Sequence, residues 1–114
     1  MSVKPEKLEG DPFYRIDVGE AKRMIDEEDV QVIDAREIDE HADGHVPGSV
    51  RIQHMAVLSN ADKLAADKPI LFICRSGQRS AVAAEFAASL GLDDLYNVEG
   101  GHQAWAEAGY PMES

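Results

Sequence analysis

The segment at residues 73–80, ICRSGQRS, places the only cysteine of the chain among residues that can bind an anion. Cys74 is followed by two arginines, Arg75 and Arg79, with Gly77 between them. A cysteine beside cations and a helix N-terminus ionises readily, and its thiolate is a nucleophile at neutral pH. Gly77 allows the backbone to curl so that successive N–H groups converge on one centre. A small buried core cysteine is the alternative, but two guanidinium groups need partners when buried, so the composition favours a reactive thiol.

Two chemistries use loops of this kind, phosphoryl transfer and sulfur transfer, and the spacing distinguishes them. Cysteine-dependent phosphatases place five residues between the cysteine and an arginine that binds two phosphoryl oxygens. Four residues separate Cys74 from Arg79, and Ser80 occupies the position that would complete the phosphatase pattern. A loop that is one residue shorter should enclose a smaller group, such as one sulfur atom carried on the cysteine. The spacing therefore favours sulfur transfer.

A second charged group, Asp34, Arg36 and Glu40, follows the second predicted strand. We expect these side chains to form a network that pins their loop against its neighbours, rather than to act directly in catalysis. Arg36 comes just after the carboxyl end of a strand, where ligands bind in parallel sheets. A position near the pocket therefore stays open for this residue.

The histidines raise the question of a metal site. His41 and His45 have a spacing that would bring two metal ligands together on a helix. Gly44 should end that helix between them, and no third ligand is evident, so we predict neither a metal site nor a bound cofactor. His45 is expected to be a hydrogen-bonded structural residue. His54 and His102 carry no interpretable signal.

Alternating strand and helix patterns surround these residues. The predicted strands cover residues 13–18, 30–35, 49–53, 69–74 and 95–100. A first helix is predicted to begin at the Asp17 capping box, and four more are predicted at residues 38–43, 60–67, 80–90 and 102–108. In the helix that Ser80 is predicted to cap, Val82, Phe86 and Leu90 form an apolar stripe, and Gly91 ends the helix. This alternation predicts a three-layer α/β domain with a five-stranded, mainly parallel sheet and helices on both faces. Cys74 would then lie at the carboxyl end of the most buried strand, where such sheets bind ligands.

Composition sets the broad class. The chain has 114 residues, of which 44% are hydrophobic, and this is typical of one globular domain. We assign residues 1–12 to a polar N-terminal arm and residues 13–114 to the domain. The formal net charge of −11 disfavours nucleic acid and anionic lipid as partners. No segment is apolar enough to span a membrane, so a cytoplasmic protein is expected.

Three motifs, in the expected order, resemble the single-domain rhodaneses (thiosulfate sulfurtransferases) over nearly the whole chain. CRSGQRSAVAAEF resembles the active-site loop of that family and the helix after it. IDAREIDEHADGHVPGSV is similar to the upstream signature, and NVEGGHQAWAEAGYP is similar to the closing strand and helix. The matching positions in these two motifs are Asp34, Arg36, Glu40, Gly44, His45, Pro47, Gly48, Gly100, Gly101, Trp105, Gly109 and Pro111. Two positions differ from the family pattern: His41 stands where Tyr or Phe is usual, and His102 stands where an apolar residue is common.

The resemblance implies transfer of a sulfane sulfur through a Cys74 persulfide. A small anionic donor such as thiosulfate would load the cysteine, and a thiol, cyanide or an acceptor protein would unload it. The loop Arg75, Ser76, Gly77, Gln78, Arg79 and Ser80 would stabilise the sulfur anion through its amides. Arg75 and Arg79 either contact the donor or brace the loop.

Two other functions stay open on these residues. One is a persulfide carrier or interaction module that delivers sulfur to a protein partner without turnover, for which the acidic surface would suit a basic partner. The other is a phosphatase or an arsenate reductase, which the length of the loop disfavours. The absence of a second cysteine fits a transferase or relay better than a redox sensor, because no internal disulfide can resolve the persulfide.

Overall fold

A computed structural model describes residues 7–114, and its centre is a five-stranded sheet. The strands are β1 (Tyr14–Ile16), β2 (Gln31–Asp34), β3 (Val50–Arg51), β4 (Ile70–Ile73) and β5 (Leu95–Val98). Their order across the sheet is β1-β5-β4-β2-β3, and every pairing is parallel. This architecture confirms the predicted fold class. Part of the predicted arm, residues 1–6, lies outside the described residues.

Within residues 7–114, three α-helices lie between strands and a fourth follows β5. They are α1 (Val18–Glu27), α2 (Ile38–Asp43), α3 (Gln78–Ser89) and α4 (Gly101–Glu107), and two 3₁₀ helices at His54–Ala56 and Leu58–Lys63 precede β4. The Asp17 side chain accepts a hydrogen bond from the Glu20 N–H and caps α1 as its sequence predicts. No helix within residues 7–114 is both long enough and apolar enough to cross a membrane.

The core has two halves, one on each face of the sheet, because side chains alternate along each strand. Ile70, Phe72 and Cys74 pack on the face that α3 covers, among Ala83, Ala84, Ala87 and other buried residues. Leu71 and Ile73 pack on the opposite face with Met24 of α1 and Trp105 of α4. All four β4 residues are buried, as the continuous apolar run predicts. This alternation directs the Cys74 side chain toward α3.

The structure corrects the predicted apolar stripe of α3. The buried residues of this helix are Ser80, Ala83, Ala84 and Ala87, whereas Leu90 is 43% exposed and Val82 and Phe86 are only partly buried. Small side chains let the helix axis approach the sheet closely, so the larger apolar residues lie at the edges of the contact. Gly91, with φ +93°, follows the helix end as predicted.

The predicted helix at residues 60–67 is also corrected. The helical segment is a 3₁₀ helix that covers Leu58–Lys63 and bends at Asn60. The Ser59 hydroxyl and the Asn60 amide both donate to the Ala56 carbonyl. Side chains that bond to nearby backbone in this way compete with α-helical hydrogen bonds, which explains the shorter and tighter turns.

The first residues of α4 pack directly on the segment that follows β4. Gly100 and Gly101 both adopt positive φ, at +84° and +57°. The N–H groups of His102 and Gln103 donate to the carbonyls of Cys74 and Arg75, at 2.7 and 3.0 Å. A Cβ on Gly101 would lie only 2.4 Å from the Cys74 carbonyl oxygen and 2.6 Å from the Arg75 carbonyl atoms. The backbone at Gly101 therefore has no room for a side chain.

We expect Gly101→Ala to destabilise the domain more than Gly91→Ala does. Gly91 also has positive φ but has open space around it, so alanine there should cost about 1–2 kcal/mol of backbone strain alone. Gly101→Ala adds a clash with two backbone segments and should also disturb the cysteine loop. Urea unfolding of both variants measures the difference, and equal losses would contradict the close approach.

Candidate active site

The Cys74 sulfur is buried at the start of the loop and is bonded by the residues that follow it. Cys74 is only 1% exposed to solvent. The Gly77 N–H donates to Sγ at 3.1 Å, and the Ser80 hydroxyl lies 3.4 Å from Sγ. Gly77 has φ +108°, which a residue with a side chain rarely adopts. The loop therefore curls around the sulfur as the glycine predicts.

Hydrogen bonds favour the charged form of this thiol. Burial is the strongest single influence and opposes ionisation, but hydrogen bonds from the Ser80 hydroxyl and from the N–H groups of Ser80, Gly77 and Ser76 outweigh it together, so the pKa of Cys74 lies below its usual value. Backbone dipoles and one hydroxyl, rather than a paired cation, stabilise the thiolate. The site can therefore present a nucleophilic sulfur in a water-poor setting.

Ser80 is not the cap of α3, and this part of the prediction is wrong. The N-cap residue is Gly77, and α3 begins at Gln78. Ser80 lies in the first turn, fully buried, where its hydroxyl bonds both the sulfur and the side-chain oxygen of Asn97, at 3.4 and 2.5 Å. Asn97, on β5, also donates to the Gly77 carbonyl at 3.0 Å. Asn97 is not among the predicted site residues, although a polar residue inside a buried strand is a signal that it has partners.

Of the two loop arginines, only Arg79 forms an ion pair with a residue of the described range 7–114. Its guanidinium donates two hydrogen bonds to the Glu40 carboxylate, at 2.7 and 2.9 Å. These bonds, against a smaller effect of burial, lower the pKa of Glu40 to about 2. Arg75 is exposed, and its side chain forms no hydrogen bond or ion pair with any residue in 7–114. Gln78 and Ser76 are also exposed at the rim of the loop.

Asp34, Arg36 and His41 form a network beside the loop. The buried Asp34 carboxylate accepts two hydrogen bonds from the Arg36 guanidinium, both 2.9 Å, and one from His41 Nδ1 at 2.8 Å. Arg36 also donates to the Gly44 carbonyl at 2.7 Å. Burial raises the pKa of Asp34, but the bonds from Arg36 and His41 more than reverse this effect and leave the pKa below its usual value. The geometry is that of a network that fixes the segment after β2.

His102, which carried no interpretable signal in the sequence, lies directly under the loop. Its Nδ1 is 3.0 Å from the Cys74 carbonyl oxygen, and its Nε2 accepts from the Val46 N–H at 3.3 Å. A carbonyl can only accept, so Nδ1 carries the proton and the ring is neutral. Burial is the main reason that the pKa of His102 lies below its usual value. An apolar residue at this position could not make these bonds.

The remaining sequence-predicted residue, His45, lies at the edge of the site. Its ring stacks on that of His41, with centroids 3.6 Å apart, and its Nδ1 bonds the His41 carbonyl at 2.7 Å. The backbone of His45 pairs with that of Glu113 near the C-terminus. Within residues 7–114, no three His, Cys, Asp or Glu side chains come together as a group that could hold a metal ion.

An open groove of about 350 Å³ lies beside the loop. Its lining residues are Arg36, Glu40, Asp43, Gly44, Arg75 and Met112. Arg36 and Glu40 are engaged in the ion pairs described above, whereas Arg75 has no ion-pair partner in the part of the chain that the structure describes and can meet a ligand. The structure thus combines a parallel α/β domain with one buried, hydrogen-bonded cysteine in a curled loop beside this groove.

Comparison with known proteins identifies the family. The model of the rhodanese-like domain matches residues 17–108. A thiosulfate sulfurtransferase GlpE from Pseudoalteromonas translucida is 32% identical over 86% of this chain and 92% of its own length. A protein of the same name from Vibrio cholerae is 27% identical over 91% of this chain and 98% of its own. The chain belongs to the rhodanese-like family, which confirms the resemblance seen in its motifs.

Solved structures agree on the fold. A rhodanese-related protein from Thermoplasma volcanium is 37% identical and superposes with a TM-score of 0.79, over 88% of this chain and 98% of its own. A Rhodopseudomonas palustris protein of unknown function, described as a possible tyrosine phosphatase, is 30% identical with a TM-score of 0.79, over 89% of this chain and 85% of its own.

We expect His102→Gln to reduce the loss of stability between about pH 7.5 and pH 5.5. The folded pKa of His102 is below the usual 6.5, so the unfolded chain takes up this proton first as the pH falls. The stability that the neutral His102 ring gives to the folded chain is therefore present above about pH 6.5 and is lost as the pH falls below it. Urea unfolding at both pH values tests this, with His54→Gln as the matched histidine control. A parallel pH response of wild type and His102→Gln would contradict the assignment.

Proposed function

We propose that this protein is a thiosulfate sulfurtransferase that carries sulfur on Cys74. The Cys74 thiolate attacks the outer sulfur of thiosulfate, the sulfur–sulfur bond of the donor breaks, and sulfite leaves with the bonding electron pair. An acceptor thiolate or cyanide then attacks the outer sulfur of the Cys74 persulfide, and the Cys74 thiolate is regenerated. The observation that carries the proposal is the buried sulfur bonded by the Gly77 N–H and the Ser80 hydroxyl in a short loop. The curated relatives named thiosulfate sulfurtransferases support it.

Arg75 is proposed to bind the anionic end of the donor. The guanidinium groups of Arg36 and Arg79 are each held by a carboxylate, whereas Arg75 is exposed and lines the groove beside the loop. An exposed guanidinium can offer paired N–H donors to a sulfonate-like group. Arg79 then acts by bracing the loop through Glu40, and the substrate-contact role that the sequence left open for both arginines goes to Arg75.

The same ion pair counts against a phosphatase. Phosphoryl transfer requires the loop arginine to hold the equatorial oxygens, but both terminal nitrogens of Arg79 donate to Glu40. The loop is also one residue short of the phosphatase spacing. A carrier that takes up sulfur on Cys74 but turns over slowly is the second candidate, because the same loop of N–H groups around Sγ would hold a stored persulfide.

Thiosulfate should add the mass of one sulfur atom to the wild-type chain and nothing to Cys74→Ser. Intact-mass spectrometry in the absence of an acceptor measures this addition, and dithiothreitol should remove it. Steady thiocyanate formation with cyanide supports the enzyme, whereas a loaded chain with negligible turnover supports the carrier. Hydrolysis of an aryl phosphate that is lost in Cys74→Ser would overturn the sulfur assignment.

The two loop arginines should separate in their kinetic effects. Arg75→Ala should raise KM for thiosulfate about tenfold, as expected for the loss of one charge-assisted contact, with little change in stability. Arg79→Ala should instead cost about 1 kcal/mol of stability, because Glu40 loses its partner. Arg23→Ala, which removes a charge on α1, controls for net charge. An unchanged KM in Arg75→Ala together with a raised KM in Arg79→Ala would reverse the two roles.

A further inference from the structure

The buried side chain of Asn97 lies one hydrogen bond beyond the residue that touches the sulfur. Its amide nitrogen donates to the Gly77 carbonyl at 3.0 Å and also to the Glu99 carboxylate. Both of these groups are pure acceptors, so the NH₂ end of the amide must face them. The oxygen end therefore faces Ser80, whose hydroxyl lies 2.5 Å away. The hydrogen-bond network fixes the orientation of this amide without ambiguity.

Ser80 has one hydroxyl proton and two neighbours that can accept it. Asn97 Oδ1 lies at 2.5 Å, and Cys74 Sγ lies at 3.4 Å. While the cysteine is a neutral thiol, the proton is directed to Asn97, and the S–H group can donate to the Ser80 oxygen. When the sulfur becomes a thiolate, the hydroxyl gains more by turning to the charge. That turn leaves the Asn97 oxygen without its donor in a fully buried place.

We infer that Asn97 is a positioning residue that competes with the Cys74 thiolate for the Ser80 hydroxyl proton and so limits how readily the thiol ionises. A thiolate that shares its donor is less stabilised and therefore more nucleophilic. Once a second sulfur is attached, the charge lies on that outer atom, and the hydroxyl can return to Asn97. Only the hydroxyl turns in this exchange, and no covalent bond is made or broken. The role of Asn97 in the persulfide form of Cys74 rests on the proposed sulfur transfer.

Charged and titratable groups surround the loop from β2, α2, α3, β5 and α4, as well as from the loop itself. They are Asp34, Arg36, Glu40, Arg75, Arg79, Glu99 and His102. None of them is hydrogen-bonded to Cys74 Sγ, which within residues 7–114 is bonded by the Ser80 hydroxyl and by the N–H groups of Ser76, Gly77 and Ser80. An effect of Asn97 on the sulfur must therefore pass through Ser80 or through the Gly77 peptide.

The pH profile of Cys74 alkylation by iodoacetamide distinguishes these two routes. Asn97→Leu removes the competing oxygen, so the midpoint of the profile should fall by about half a pH unit, which is about threefold in the ionisation constant. The same substitution in a Ser80→Ala background should leave the midpoint unchanged. An unchanged or raised midpoint in the single variant, or an equal shift in both backgrounds, would overturn the inference. Circular dichroism checks that each variant is folded.

A second measurement needs no substitution at Asn97. In the unmodified chain, the NMR signals of the Asn97 NH₂ group should titrate with the same midpoint as Cys74 alkylation, and in Ser80→Ala they should not respond at that midpoint. Signals that do not respond in the unmodified chain would contradict the proton exchange. Both measurements follow the thiol itself, so the inference can fail while thiosulfate turnover stands, and the reverse.

Discussion

The conformation of the loop that follows Cys74 depends on hydrogen bonds between its carbonyl groups and the first N–H groups of α4. The Arg75 carbonyl accepts from the Gln103 N–H, and the Cys74 carbonyl accepts from the His102 N–H. In a trans peptide the N–H and C=O groups point in opposite directions. Anchoring the Arg75 carbonyl against α4 therefore turns the Ser76 N–H, which belongs to the same peptide unit, toward the sulfur. Gly101, the first residue of α4, is the condition for this contact, since a side chain there would occupy the space of the carbonyls.

This arrangement explains how a strongly acidic chain can stabilise a sulfur anion. The net charge of −11 would repel anions if charge alone decided the matter. The loop after Cys74 instead presents fixed N–H and hydroxyl dipoles at hydrogen-bond distance from the sulfur, where they act more strongly than screened surface charges. The nearby guanidinium groups of Arg36 and Arg79 are neutralised by Asp34 and Glu40, and they contribute geometry to the segments after β2 and β4.

The sequence was most informative where a residue type has few structural uses. The apolar run before Cys74, the glycine after it and the capping box at Asp17 each have one dominant interpretation, and the sheet and the loop follow from them. The three motifs also place the chain in its family. Ser80 was harder, because a serine near a helix start reads as a cap and only the packing of α3 shows that it lies inside the first turn.

The partners of the site could not be read from the sequence for a different reason. Asn97 bonds Ser80 and Gly77, which are 17 and 20 positions away in the chain. His102 bonds Cys74 and Val46, which are 28 and 56 positions away. Nothing in their local pattern encodes such pairings. The apolar stripe of α3 failed because pattern analysis ranks residues by hydrophobicity, whereas a helix that lies close to a sheet selects small residues.

The alternation of side chains along β4 also limits how this active site can change in evolution. Phe72 and Cys74 share one face of the sheet because two residue steps separate them. An insertion within β4 would rotate the cysteine onto the face that α1 and α4 cover, away from α3 and its first turn. An insertion after Cys74 would leave the sulfur in place and lengthen only the loop between Cys74 and α3. The fold therefore allows the length of the loop to vary on the C-terminal side of Cys74 but not on its N-terminal side.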